Sequence, residues 1–353
     1  PLYSSAASDV YKRQQGNGAG GNPGSGGSLV LVPPGTGDGG SEQGTGGGPV
    51  CADITLALAD TIPTVVLLID RSGSMSASKL DEANPSSPDR WTALKTALLA
   101  DGGVLASLEA KVRFGVVLYG NDEGSATCPD LDKALMPPAL NRFAAIQAHY
   151  QPLNTIPNTP TGESVESVAA DLAAFTEPGP KYIVLATDGF PDRCAQPNED
   201  ADGLSRDLSV AAVKAAYDTH KVGTFVISVG TDISDTHLQH LANVGAGMAQ
   251  AAAPGAEFFK VTTQAALTAA FDKVIGGVRS CVFTLNGEID PDLADKGRVL
   301  LDGAPVPFDP TNGWKVNSAT EIEIVGAACQ AIAVGEHTLS ASFPCEVVRK
   351  PPA

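Results

Sequence analysis

The chain has 353 residues, a formal net charge of −17, 18% charged residues, 38 Gly and 26 Pro. So acidic a chain disfavours nucleic acid, whose phosphates need Lys and Arg to displace counterions, and disfavours adsorption to anionic membranes. No apolar run approaches the roughly 20 residues needed to span a bilayer, and the length suits one large domain, a smaller one and some linker.

Residues 1–14 stand outside the fold: Asp9-Val10-Tyr11-Lys12-Arg13-Gln14 resembles the translation of a sequencing-library adaptor. The natural N-terminus, with any signal peptide or lipid-bearing cysteine, is therefore expected to be missing from this sequence. Residues 15–50 are dominated by Gly, with Ser, Pro and Thr, and hold one short apolar patch at 29–32. That composition predicts a disordered linker, either a tether to a surface or low-complexity padding.

Residues 64–69 form an unbroken apolar run that stops at Asp70, and Ser72 and Ser74 follow at alternate positions. Such a run predicts a strand buried on both faces. After a polar loop over 76–88, Trp91, Leu94, Leu98 and Leu99 recur at helical spacing, and Gly102-Gly103 interrupts the helix before 104–108. Further strands are predicted at 112–119 and 182–187, with a short antiparallel edge strand within 128–136. Helices are predicted at 140–150 and 162–175, and Pro152, Pro157 and Pro160 fix the loop between them. Helices at 207–220, 235–244 and 263–276 then alternate with strands at 222–229 and 257–261. This alternation predicts a doubly wound, mainly parallel α/β sheet.

Asp70, Ser72 and Ser74 offer hard oxygen donors, the chemistry of Mg²⁺, Ca²⁺ or Mn²⁺. Taken alone, the triplet also reads as a turn with an N-cap serine. Two further fragments join it: Asn158-Thr159-Pro160-Thr161-Gly162-Glu163, a loop entering a helix, and Thr187-Asp188-Gly189, the end of a second buried strand. Over roughly residues 60–276 the chain here resembles the von Willebrand factor A (VWA) family. That family's metal-ion-dependent adhesion site combines Asp-x-Ser-x-Ser, a threonine on a separate loop and an Asp after a later strand. The resemblance implies a metal site of Asp70, Ser72, Ser74, Thr159 and Asp188. It makes the strands ending at Asp70 and Asp188 central neighbours, with both carboxylates across one crevice at the topological switch point. It makes the hydroxyls the ligands, some through water, and gives the two aspartates the role of holding waters. An Asp or Glu of a protein partner then completes the ion's octahedron. The family often has Gly-Gly before the threonine. Pro157-Asn158 stands here, so Thr159 and Thr161 both remain candidates, with Thr159 preferred.

Six cysteines without any Cys-x-x-Cys pair point to disulfides in an oxidising compartment rather than to zinc or redox motifs, the alternative being buried reduced thiols. Because VWA termini lie close together, Cys51 is expected to pair with Cys281. Cys128 with Cys194 would join two loops on the metal-bearing face, and Cys329 with Cys345 would staple the C-terminal part of the chain. The domain reading is thus a VWA domain over 51–280 and a small all-β domain over 281–353. Short strands at 281–285, 298–301, 314–316, 320–325, 331–334 and 338–343 are separated by turn signals such as Asp302-Gly303 and Asn312-Gly313. Its expected core is Val282, Leu285, Leu300, Ile322, Ile324, Leu339 and Phe343, and its expected role is structural or as an interaction module.

Other candidates weigh less. Asn198-Glu199-Asp200-Ala201-Asp202-Gly203 begins like an EF-hand loop, but Ser209 stands where the twelfth-position Glu is required. His237 and His240 share a helical face without a third ligand. Gly162-Glu163-Ser164-Val165-Glu166 lacks the second Gly of a nucleophile elbow, and no Gly-Lys-Ser/Thr loop is present. Asp70 and Asp188 as an acid/base pair explain the neighbouring hydroxyls less well than a metal does. The sequence therefore predicts a non-enzymatic, Mg²⁺-dependent adhesion module (Ca²⁺ or Mn²⁺ as alternative ions), secreted or tethered to a bacterial surface, that binds an acidic side chain of a protein. A metal-assisted hydrolase and a structural envelope protein with a bracing ion are its rivals.

Overall fold

The computed structural model describes residues 29–31, 54–56, 58–60, 62–122, 125–195, 203–278, 281–334 and 337–350. Three short strands come first: β1 (Leu29–Leu31), β2 (Ile54–Leu56) and β3 (Leu58–Asp60). The alternating unit follows, opening with β4 (Thr64–Asp70), α1 (Gly73–Ala77), α2 (Arg90–Leu99), α3 (Val104–Leu108) and β5 (Arg113–Gly120). It continues through β6 (Asp130–Asp132), α4 (Phe143–Tyr150), α5 (Thr161–Ala174), β7 (Lys181–Thr187) and α6 (Leu204–His220). It closes with β8 (Val222–Val229), α7 (Asp235–Gly245), β9 (Phe259–Val261) and α8 (Gln264–Gly277).

These strands make one sheet in the order β6-β5-β4-β7-β8-β9, parallel throughout except for the β5–β6 edge. The chain winds outward from β4 to β6, then crosses back to β7 and winds the other way, so the switch point lies between β4 and β7. Every residue of β4 is buried because helices cover both faces. Val65, Leu67 and Ile69 pack with Leu94, Leu98 and Phe271 on one side, while Val66 and Leu68 pack with Val165, Leu172 and Val213 on the other. Truncating one such leucine to Ala would cost about 2–5 kcal/mol. Local chemistry sets the helix ends: Asp89 caps α2 by accepting from Thr92 N–H at 2.8 Å, and Thr263 caps α8 through Ala266 N–H. Gly102, with φ +74°, turns the chain between α2 and α3. The antiparallel edge strand is present as β6. The short helix α1 lies where the sequence suggested only the start of a loop.

The rest is a β unit: β10 (Val282–Leu285), β11 (Glu288–Ile289), β12 (Arg298–Leu301), β13 (Ala304–Val306), β14 (Trp314–Ser318), β15 (Glu321–Ile324), α9 (Ala327–Val334), β16 (His337–Phe343) and β17 (Val348–Lys350). Its two larger sheets run β1-β16-β12-β13, with β2 also on β16, and β14-β15-β10-β3. Strands that precede the parallel sheet in sequence therefore pair with strands that follow it. β3 lies antiparallel to β10, β2 antiparallel to β16, and β1 parallel to β16. The remainder of the Gly-rich 15–50 stretch, like the adaptor-like 1–14, lies outside the described residues.

Three expectations are corrected here. The strand expected at 331–334 is the end of helix α9; a short apolar run has no decisive period, and its alanines favour helix. The core of the β unit holds Leu285, Ile322, Ile324, Leu339 and Phe343 as expected, but Phe283 and Val299 face inward while their neighbours Val282 and Leu300 are only half-buried. With a side-chain period of two, a slip of one residue exchanges the faces. Finally, Cys281 is bonded to Cys329, so neither Cys51–Cys281 nor Cys329–Cys345 forms. Residues 281 and 329 sit where β10 begins and within α9, whose Cα atoms approach to 5.6 Å. Cys345 is disulfide-bonded as well, Cys51 lies outside the described residues, and Cys128–Cys194 is bonded as expected.

Candidate functional site

Parallel pairing puts the ends of β4 and β7 side by side: Ile69 lies opposite Ala186, so Asp70 comes level with Thr187, one residue before Asp188. Both aspartates are fully buried. Asp70 accepts from the Thr187 hydroxyl at 2.6 Å and from the Ser72 backbone N–H at 2.8 Å. Asp188 accepts from the Ser74 hydroxyl at 2.7 Å, and the Ser72 and Ser74 hydroxyls lie 2.9 Å apart. Ser74 spends its only proton on Asp188, so Ser72 donates to Ser74. Four of the five residues singled out in the sequence thus form one hydrogen-bonded chain across the switch point.

The fifth, Thr159, is stitched to the same crest through its backbone. Its N–H donates to Asp192 Oδ2 at 2.9 Å and its carbonyl accepts from Asp192 N–H at 2.8 Å, which fastens its loop to the one after β7. Ile156 N–H donates to Arg71 O at 2.8 Å, which fastens it to the loop after β4. Asn158 adopts φ +60°, the left-handed region that favours glycine and where Asn is the most tolerant alternative. Thr161 is committed elsewhere: its hydroxyl donates to Thr159 O at 3.3 Å and accepts from buried Tyr119 Oη at 3.1 Å. Of the two threonine hydroxyls, that of Thr159 is the one without a hydrogen bond to the described residues.

Two carboxylates in one dry crevice perturb each other. Burial, and next the charge of Asp188, raise Asp70 from 3.8 to about 7 against the hydrogen bonds of Thr187 and Ser72. Burial raises Asp188 also, opposed by Ser74 and by Arg90. Burial, and then the charge of Asp70, push Tyr119 well above its ordinary value. Arg90, at the first position of α2, is buried and donates to Asp188 Oδ2 at 2.9 Å and to Asp232 Oδ2 at 2.8 Å. Sequence reasoning missed Arg90, Asp192 and Asp232; an Arg opening an amphipathic helix reads as a solvated charge.

The donors at the crest are all oxygen, which suits a hard divalent cation. Hydroxyls would have to supply part of any coordination, since among the described residues no three His, Cys, Asp or Glu side chains converge on a metal position. The rival sites do not converge either. His237 is buried against Ser209 Oγ at 3.5 Å and burial lowers it to about 4, and His240 Nδ1 meets Gln250 Nε2 at 3.1 Å. Residues 198–202 of the EF-like stretch lie outside the described residues, and Ser209 sits inside α6.

No protein-family model matches the chain, and no curated protein matches it. Among solved structures it is similar to the PilB minor pilin from Streptococcus sanguinis, with 16% identity and a TM-score of 0.46 over 62% of this chain and 61% of that one. It is similar to the pilus adhesin SpaC from Lactobacillus rhamnosus GG, with 14% identity and a TM-score of 0.45 over 83% of this chain and 42% of that one. It is similar, too, to a von Willebrand factor type A protein from Catenulispora acidiphila, with 15% identity and a TM-score of 0.45 over 83% of this chain and 60% of that one. The chain spans less than two thirds of each of these, and at such values the likeness says nothing of individual residues.

Proposed function

We propose that the chain is a divalent-cation-dependent binding module of the VWA type, which recognises a protein partner through an acidic side chain of that partner. The observation that supports this is the pair of buried carboxylates, Asp70 and Asp188, bridged by the Ser72 and Ser74 hydroxyls at a parallel-sheet switch point. Charges buried this close are costly unless an opposite charge joins them. Ser72, Ser74 and Thr159 would ligate the ion, and Asp70 and Asp188 would hold its waters. The bound ion supplies an electrophilic position that a carboxylate can fill. Mg²⁺ fits a small oxygen site of this kind, with Ca²⁺ or Mn²⁺ as alternatives. Hydrolysis by the same ion would need a base, and neither the loop after β4 nor the loop after β7 carries a histidine.

Disulfides, with no free cysteine among the described residues, suit an oxidising compartment, and we place the module outside the cell or on a bacterial surface. The Gly-rich N-terminal stretch would be its tether. Among the described residues no helix is long and apolar enough to cross a membrane. Thermal unfolding against Mg²⁺, Ca²⁺ and Mn²⁺ tests the site: at 100 times its dissociation constant a bound ion stabilises by about 2.7 kcal/mol. A joint Ser72→Ala/Ser74→Ala variant should lose that gain while keeping its circular dichroism. Undiminished stabilisation in the double variant would sink the site. Retention of a cell-envelope protein with ion, and its release by chelator, tests the partner.

A further inference from the structure

Among the described residues Arg90 is the one fully buried cation at the crest, and the cation-binding reading gives it no task. All three nitrogens of its guanidinium are engaged, through four of the five N–H groups. Nε donates to Lys79 O at 3.2 Å, Nη1 to Asp188 at 2.9 Å and Asp232 at 2.8 Å, and Nη2 to Glu82 Oε1 at 3.1 Å. The fork therefore joins the loops that follow β4, β7 and β8. The fold makes room for it: Gly230 has φ +110°, and a Cβ there would lie 2.7 Å from Arg90 Cζ. Of its three acidic partners, only Asp188 is buried; Glu82 and Asp232 have side chains 59% and 48% exposed, where solvent screens them. The strong interaction in this cluster is thus with the crevice carboxylate.

We propose that Arg90 is the site's fixed counter-ion: it cancels Asp188 before any cation arrives, and so trades cation affinity for a net positive charge in the loaded site. This rests on the cation-binding function proposed for the crest. Asp70 and Asp188 contribute two negative charges and Arg90 one positive charge, so a divalent cation leaves the buried set with one net positive charge. Without Arg90 the same set would be neutral once loaded. A carboxylate is drawn to the first arrangement and has no Coulombic reason to enter the second. The same guanidinium repels the incoming cation, and a unit charge within several ångströms in a partly dry site changes affinity by about tenfold or more.

The charge account and a purely structural account predict opposite signs. In titration calorimetry of the full chain with Mg²⁺, Arg90→Gln should bind the ion about tenfold more tightly than wild type, although it unfolds at a lower temperature in chelator. Arg90→Lys keeps the charge but not the fork, and should stay near the wild-type affinity. With Mn²⁺ bound, acetate should displace metal-bound water in wild type, read by proton relaxation, and about tenfold less readily in Arg90→Gln. If Arg90→Gln does not fold, the comparison moves to the Asp188→Asn background, where no buried carboxylate is orphaned. There Arg90→Gln/Asp188→Asn should bind Mg²⁺ more tightly than Asp188→Asn alone. Equal or weaker Mg²⁺ binding on loss of Arg90, in whichever background folds, overturns the proposal and leaves the cation site standing. Failure of wild type to bind Mg²⁺ or Mn²⁺ removes the cation site, and the counter-ion role falls with it.

Discussion

Replacing Asp70 with Asn should stabilise the cation-free protein at pH 8 and have little net effect at pH 5. Asp70 titrates near 7 in the folded chain, against about 3.9 in an unfolded one. Between those values the folded state holds a proton that the unfolded state has released, so stability falls as pH rises from about 4 to 7. Above 7 the full penalty is present. Three units of displacement correspond to about 4 kcal/mol, and Asp188, also raised, acts in the same direction. Asn imitates the protonated acid. Its Oδ1 still accepts from Ser72 N–H, but its amide replaces the oxygen that accepts from Thr187, a rearrangement costing about 1 kcal/mol.

The expected gain at pH 8 in chelator is therefore about 3 kcal/mol, or about 6–12 °C in a domain of this size. At pH 5 wild-type Asp70 is neutral when folded but ionised when unfolded, a penalty of about 1.5 kcal/mol. The lost Thr187 bond largely offsets it in the variant, so the two proteins should unfold within about 0.5 kcal/mol of each other. Saturating Mg²⁺ at pH 8 should return wild type toward the variant and leave the variant unmoved. The assay is thermal unfolding by circular dichroism over pH 4.5–8.5, with and without ion. Parallel pH profiles for the two proteins, or a less stable Asp70→Asn at pH 8 in chelator, would refute the account of Asp70 as a buried carboxylate with no counter-ion of its own.

Thr159→Val should abolish Mg²⁺-dependent stabilisation, whereas Thr161→Val, which strips the hydroxyl between Tyr119 and Thr159 O, should cost about 1 kcal/mol and keep the ion response; thermal shift separates them. Asn158→Gly keeps the left-handed backbone but loses the Nδ2 bond to Asn121 O at 3.1 Å and should cost about 0.5–1 kcal/mol, whereas Asn158→Val adds about 1–2 kcal/mol of strain at that position, read by urea unfolding. A non-reduced digest should yield Cys128–Cys194 and Cys281–Cys329 peptides, and the joint Cys281→Ala/Cys329→Ala change should cost up to about 4 kcal/mol by chain entropy. Trp314→Ala, at a site 1% exposed between Phe308 and Phe343, should cost about 3–5 kcal/mol and erase near-ultraviolet signal from the β unit.

Residues whose partners are set by local pattern were legible in the sequence. An apolar run ending in a carboxylate describes both β4 and β7, and once two such runs are neighbours in a parallel sheet their terminal aspartates must meet. Arg90 was not legible, because what makes it unusual is its partners: Asp188 and Asp232 lie 98 and 142 residues away. Nor could local pattern reveal that β2 and β3 belong with β16 and β10, since a three-residue strand carries no mark of which sheet it joins. The mistaken strand at 331–334 and the one-residue slip at Phe283 and Val299 share a cause. In elements only a few residues long, period two and period 3.6 fit almost equally well.

The pairing of β2 and β3 with later strands also bears on how the crest is presented. β4 starts at the end of the parallel sheet opposite Asp70. α8 follows a parallel strand and runs back along the sheet, so it too finishes at that opposite end. Both connections from the parallel sheet to the β unit therefore leave from the same side. Tyr182 and Gly223, at the starts of β7 and β8, line a cavity of about 630 Å³ with Cys329 of α9, which puts the β unit against that end. The carboxyl ends of the strands are left facing away from both crossings. A partner of the proposed kind approaching Asp70, Ser72, Ser74 and Thr159 would meet neither the β unit nor the two connections to it, because the parallel sheet stands between that crest and the β unit.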